Sequence, residues 1–119
     1  MNILIAENEE LVQTYIQRIL EKKGYTIFTA LSVDEIIVIV NTYPIHLIVL
    51  DLILDASDGR QILYYMKEND LDIPIIVVSK KFDKEEATQL FELGIIDYLV
   101  KPINTELLLI KIDYLLKKF

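Results

Sequence analysis

The chain has no cysteine and only one histidine among its 119 residues. Without thiols there are no disulfides and no thiolate metal site, and a single imidazole cannot build a histidine-based metal cluster. Basic residues are also scarce: 12 Lys and Arg face 19 Asp and Glu, for a net charge of −7. Phosphate backbones are recognised by basic patches, so this balance argues against nucleic-acid binding by this segment. The basic pairs Lys22-Lys23, Lys80-Lys81 and Lys117-Lys118 fall near expected helix or strand ends, and such pairs at helix C-termini complement the helix dipole. No apolar stretch reaches the roughly 18 residues that suggest a transmembrane helix. No basic-then-apolar leader opens the sequence. These absences predict a soluble, cytoplasmic protein.

Repeats, linkers and low-complexity tracts are missing too. What is present is an alternation. Hydrophobic residues make up 53% of the chain, enough for a core, and the length suits one domain spanning 1–119. Short Ile-, Val- and Leu-rich runs at 2–6, 25–30, 46–50, 73–78 and 96–100 have the character of strands buried on both faces. Segments with helical spacing separate them. The first places Val12, Tyr15, Ile16, Ile19 and Leu20 on one face and stops at Gly24. The second and fourth open on Ser32-Val-Asp-Glu35 and Asp83-Lys-Glu-Glu86, both matching a capping box. The third follows Gly59, the fourth stops before Gly94, and the fifth follows Pro102-Ile103-Asn104. Five strands alternating with five helices predict an α/β fold: a three-layer, doubly wound (βα)5 parallel sheet of the flavodoxin-like kind, strand order 2-1-3-4-5.

In such sheets, ligands bind beyond the carboxyl ends of the strands. Glu7-Asn8, Asp51, Ser79 and Lys101 all fall at those ends. Each has an ordinary structural use: Asp51 as a turn acid, Ser79 as a loop hydroxyl, Lys101 as a solvated cation. Asn8 taken singly suits an N-cap for the first helix, with Glu9 and Glu10 in its first turn. His46, at the start of a strand, is structural or exposed. Together, however, the strand-end residues outline a chemistry. A carboxylate can accept a phosphoryl group as a nucleophile, with charge neutralised by an oxygen-ligated Mg²⁺ and a lysine. A nearby hydroxyl can bond the new phosphate oxygens and report the event elsewhere.

The stretches Ile3-Leu-Ile-Ala-Glu-Asn-Glu9, Leu50-Asp-Leu-Ile-Leu-Asp-Ala-Ser-Asp-Gly59, Pro74-Ile-Ile-Val-Val-Ser79 and Asp97-Tyr-Leu-Val-Lys-Pro102 resemble the CheY-like receiver domains of two-component response regulators. The resemblance covers essentially the whole chain. It implies that Asp51 is the phosphoacceptor, receiving phosphate from a sensor histidine kinase or a phosphotransfer protein. It implies that Lys101 pairs with the phosphate, with a cis peptide before Pro102, that Ser79 is the switch hydroxyl, and that the Tyr98 aromatic follows it. Mg²⁺ would be held by Glu7, Asn8, Asp51 and the Ile53 carbonyl. Such a protein is no enzyme beyond its own phosphorylation and dephosphorylation.

Three positions depart from the family pattern. Asn8 stands where a metal-ligating carboxylate belongs, which removes a negative charge and predicts weak Mg²⁺ binding; Glu9, expected in the first helical turn, is not a replacement. Lys80 follows the switch Ser where a small residue is usual, and Asp55 replaces a common proline. The alternative function is therefore a pseudo-receiver acting as a phosphorylation-independent interaction module. A flavodoxin-like nucleotide binder would need a phosphate-cradling loop where Glu7-Asn-Glu-Glu10 stands, and a dehalogenase-type phosphatase would need an acid where Ile53 stands.

The fifth helix carries one stripe of Leu108, Ile112, Leu115 and Phe119, with Leu107, Leu109, Ile110 and Tyr114 extending around it. This is wider than one core face requires. Either the helix is broadly buried, or helix four, strand five and helix five present a homodimer or effector surface. Ile36-Ile-Val-Ile-Val40 in the second helix is apolar all round and β-branched.

Overall fold

The computed structural model describes residues 1–117. The main sheet is formed by β1 (Asn2–Ala6), β2 (Thr26–Ala30), β3 (Leu47–Asp51), β4 (Ile75–Ser79) and β5 (Asp97–Val100). Between and after them run α1 (Glu10–Lys22), α2 (Val33–Thr42), α3 (Arg60–Glu68), α4 (Lys84–Glu92) and α5 (Thr105–Lys117). All pairings in this sheet are parallel, in the order β2-β1-β3-β4-β5, as the alternation predicts. A short antiparallel ribbon, Ile53–Leu54 with Ser57–Asp58, follows β3.

Side chains alternate across a strand, and here that divides the core in two. Leu4, Ile48, Leu50 and Val77 face α2, α3 and α4, packing with Ile36, Ile62 and Leu90. Ile3, Ile5, Leu47, Val49, Ile76 and Val78 face α1 and α5, packing with Ile16, Leu20, Leu108 and Ile112. Every residue of β3 is buried, Asp51 included. The apolar run before Asp51 is thus explained by helices on both sides of it.

Helix ends follow local chemistry, with some corrections. Ser32 Oγ accepts from the Glu35 amide at 3.2 Å, while the Glu35 carboxylate accepts from the amide of Leu31 rather than that of Ser32. Asp83 accepts from Glu85 and Glu86 at 3.0 and 3.1 Å. The return half of this second box is absent, because the Glu86 carboxylate is engaged by Arg60 and Tyr98. Asn8 is not the cap of α1. Glu9 holds the N-cap position in extended geometry, with no side-chain cap bond. At the other end of α1, Gly24 adopts a φ of +93°, the left-handed conformation expected just past a helix.

The stripes also shift. Tyr15 is exposed, leaving Ile16 and Leu20 as the buried residues of α1. In α5 the buried set is Leu108, Ile112 and Leu116, with Leu115 half-buried. Phe119 and Lys118 lie outside the described residues. Ile36 and Val40 bury one face of α2 and Val38 is exposed, so tertiary packing carries a helix that β-branching disfavours. His46 is structural: its Nδ1 accepts from the Asn2 amide at 2.9 Å.

Gly59, at the start of α3, packs directly under β3. A Cβ there would meet the Asp51 carbonyl oxygen at 2.7 Å and Leu52 Cα at 2.9 Å, both backbone atoms that cannot rotate aside. Gly59→Ala is expected to lower stability by about 1–3 kcal/mol, measured by denaturant unfolding. Unchanged stability would contradict so close a contact.

Candidate functional site

Because the strands are parallel and in register, their carboxyl ends share one edge. β3 ends in Asp51, β4 in Ser79, and Glu7 and Lys101 directly follow β1 and β5. The edge therefore brings together residues separated by up to 94 positions. Lys101 Nζ lies 2.9 Å from Asp51 Oδ2, 3.0 Å from Glu7 Oε1 and 3.1 Å from Glu9 Oε1. Glu7 and Asp51 are only 3% and 6% exposed, and they are the buried charged residues among those described.

Backbone amides hold the two buried acids. Asp51 Oδ1 accepts from the Ile53 amide at 3.0 Å, and Glu7 Oε1 accepts from the Glu9 amide at 3.1 Å. Burial raises the Glu7 carboxyl above its ordinary value, against the hydrogen bond from Lys101; the nearby charge of Asp51 also raises it. For Lys101, burial disfavours the ammonium, but the hydrogen bonds to Asp51, Glu7 and Glu9 outweigh it and the net shift is upward. Among the described residues no buried side-chain polar atom lacks a partner.

Three carboxylates around one ammonium leave an excess of negative charge. Oxygens of Glu7, Glu9 and Asp51 all lie within 4.8 Å of one another. An all-oxygen set of this kind fits a hard cation such as Mg²⁺ better than a softer metal. Glu9 is the residue that sequence reasoning set aside. As the N-cap rather than a helical residue, it sends its carboxylate back over the strand ends, and a helix boundary one residue earlier hid this. Asn8 is half-buried, and its side chain makes none of the hydrogen bonds that hold the cluster.

Ser79 and Tyr98 form a neighbouring network. Ser79 Oγ donates to the Lys81 carbonyl at 3.1 Å. The Tyr98 hydroxyl lies 3.1 Å from that same carbonyl and 3.0 Å from Glu86 Oε1, two acceptors for one proton. Glu86 in turn pairs with Arg60, which also holds Asp58 at 3.1 Å. Burial raises the Tyr98 phenol above its ordinary value, the Ser79 hydroxyl opposes this, and the Glu86 carboxylate adds to it. The Phe82 ring meets Tyr98 edge-on at 6.0 Å. The two networks join through the backbone, where the Lys101 amide donates to the Ser79 carbonyl at 2.7 Å. The Lys101–Pro102 peptide is cis. Lys80 is exposed and borders a groove of about 730 Å³ between α1 and the segment after β5.

The family model described as "Response regulator receiver domain" matches residues 3–113. Response regulator RR06 of Streptococcus pneumoniae serotype 2 (strain D39 / NCTC 7466) is 34% identical over all of this chain and 54% of its own length. The alkaline phosphatase synthesis transcriptional regulatory protein PhoP of Bacillus subtilis (strain 168) is 32% identical over 86% of this chain and 42% of its own. The chain thus spans about half the length of these relatives. A two-component response regulator from Clostridium difficile superposes with a TM-score of 0.90 at 27% identity, covering 98% of this chain and 96% of that one. The receiver domain of the Francisella response regulator 1452 gives 0.92 at 25% identity, with 98% and 97% covered.

The raised Glu7 carboxyl has a consequence for stability. A proton held more tightly in the folded state than in the unfolded chain favours folding below the unfolded value of 4.5. That contribution is lost as pH rises through the folded value. Glu7→Gln removes the titration, so metal-free variant stability should improve relative to wild type as pH rises from 4.5 toward neutrality. Denaturant unfolding across that range measures the difference, and a flat or opposite trend would contradict the assignment.

Proposed function

Since this chain belongs to the response regulator receiver domain family, we propose that it is a phosphoacceptor receiver of a two-component phosphorelay. Members of the family are regulatory domains rather than classical enzymes. In this reading residues 1–119 form a single receiver domain in the cytoplasm. Asp51 takes a phosphoryl group from a sensor histidine kinase or a phosphotransfer protein. The observation that carries the reading is the contact between Lys101 and Asp51 at 2.9 Å, inside an acid cluster at the carboxyl edge of a parallel sheet.

The chemistry follows from those groups. A carboxylate oxygen of Asp51 attacks phosphorus, forming the aspartyl O–P bond as the donor's P–N bond breaks. The imidazole leaves with the bonding pair and takes up a proton. Lys101 neutralises charge on the transferred group from the side it already occupies. When bound, Mg²⁺ would be held by Glu7, Asp51 and the Ile53 carbonyl and would supply the remaining positive charge. The Ile53 and Glu9 amides keep the two acids oriented without solvent reorganisation.

Output in this reading runs through Ser79 and Tyr98. A new phosphate offers the Ser79 hydroxyl stronger, charged acceptors than the Lys81 carbonyl. Turning toward them leaves that carbonyl to Tyr98 alone, and the Tyr98 ring follows. Phe91, Ile96, Val100, Leu107 and Ile110 are exposed on α4, β5 and α5 and in the turn before β5. They form the surface through which the switch reaches a second copy of the chain or an effector. Among the described residues no helix is long and apolar enough to cross a membrane, and the acidic balance of the chain gives nucleic acid no footing on this segment. The phosphorylation-independent interaction module is favoured by one observation, the amide of Asn8 in place of an acid.

Incubation with acetyl phosphate and Mg²⁺, followed by intact-mass measurement, separates the two readings. Wild type is expected to gain one phosphoryl group and Asp51→Asn none. An unmodified wild type, under conditions that modify a control receiver, would overturn phosphoacceptance and leave the interaction module.

A further inference from the structure

Resting on that reading, the geometry points to Glu9, rather than Asn8, as the residue that completes the carboxylate set of the cation site. Four observations support the assignment. The Glu9 oxygen lies within 4.8 Å of oxygens from both Glu7 and Asp51. Its N-cap backbone is extended, at φ −88° and ψ 102°, so the side chain turns back over the sheet edge. Its amide donates to Glu7 Oε1, which ties the two acids into one unit. Asn8, the neighbour whose position the family pattern favours, contributes no charge and makes none of the bonds around Lys101.

The charge count is consistent with this. With all groups ionised, three carboxylates against one ammonium leave two negative charges uncompensated. Replacing an aspartate at position 8 by Asn removes one charge, and Glu9 restores it from one residue further along, its extra methylene covering the added distance. Lys101 serves as counter-ion to all three acids. Its contact with Glu9 is the one open to solvent: the Glu9 side chain is 47% exposed, against 4% for Glu7 and 7% for Asp51. Solvent screening makes that pair the weakest of the three, so Glu9 is the acid that can change partner without uncovering a buried charge. Glu9 is thereby a residue that sets cation affinity and selects for hard, oxygen-loving ions.

The test reads cation binding with no phosphodonor present. Mg²⁺ is titrated calorimetrically into wild type, Glu9→Gln and Asn8→Ala, with circular dichroism checking that all three are folded. Glu9→Gln is isosteric and removes only charge. It should weaken Mg²⁺ binding by about tenfold or more, while Asn8→Ala changes it by less than about threefold. Asn8→Asp, which adds an acid to the set, should tighten it. Glu9→Gln binding like wild type, or a greater loss from Asn8→Ala, would overturn the assignment. If wild type and Glu9→Gln bind Mg²⁺ equally but wild type still takes phosphate on Asp51, this inference falls while phosphoacceptance stands. If Glu9→Gln loses Mg²⁺ while wild type takes no phosphate, the reverse holds.

Discussion

One ammonium organises this molecule's functional edge. Lys101 Nζ sits within 3.1 Å of oxygens from Asp51, Glu7 and Glu9, which come from the ends of two strands and the loop before α1. Without it, two carboxylates that are almost wholly buried would face each other with only backbone amides for compensation. Buried ion pairs are weak contributors to net stability, because desolvation cancels much of the attraction. The arrangement is better understood as a prepared electrostatic environment. In the proposed reading its positive charge stands where an incoming phosphoryl group would place negative charge, and its surplus of acids suits a cation.

The sheet makes that environment possible. Five parallel strands bury their middles against helices on both faces and open at one edge, so side chains just past their ends converge whatever their distance in sequence. Gly59 shows how closely the scaffold is drawn around Asp51, since even one added carbon would strike that residue's own backbone carbonyl. Beside this cluster lies a second network of Ser79, the Lys81 carbonyl, Tyr98, Glu86 and Arg60, which links β4 and β5 to α3 and α4. The two are joined by the backbone hydrogen bond from the Lys101 amide to the Ser79 carbonyl. In the proposed reading, phosphorylation at one would bias packing at the other through this link.

Much of this was legible before the structure. Apolar runs rich in Ile and Val, separated by helical spacing, point to a doubly wound sheet, because strands buried on both faces read that way. The convergence of Glu7, Asp51 and Lys101 followed from their places at strand ends. Less visible was whatever hung on a boundary of one residue. Asn8 looks like a cap and Glu9 like a helical acid, yet the helix starts later and their roles change. Glu86 fits a capping box by pattern, but Arg60 and Tyr98 offer its carboxylate stronger partners across the fold. Tyr15 and Leu115 belong to apolar stripes that rotate slightly when packed. Such outcomes depend on competition between local and long-range partners, which linear spacing does not encode.

In the proposed reading Asp51 and Lys101 form a phosphoryl site completed by a cation on the surrounding acids. A crystal structure of the protein with Mg²⁺ and beryllium fluoride, a mimic of the acyl phosphate, tests it most directly. The expected result is the fluoride complex on the Asp51 carboxylate, Lys101 Nζ bonded to it, and the cation in contact with Asp51, Glu7 and Glu9. An unmodified Asp51 still paired with Lys101 at saturating ligand would contradict it.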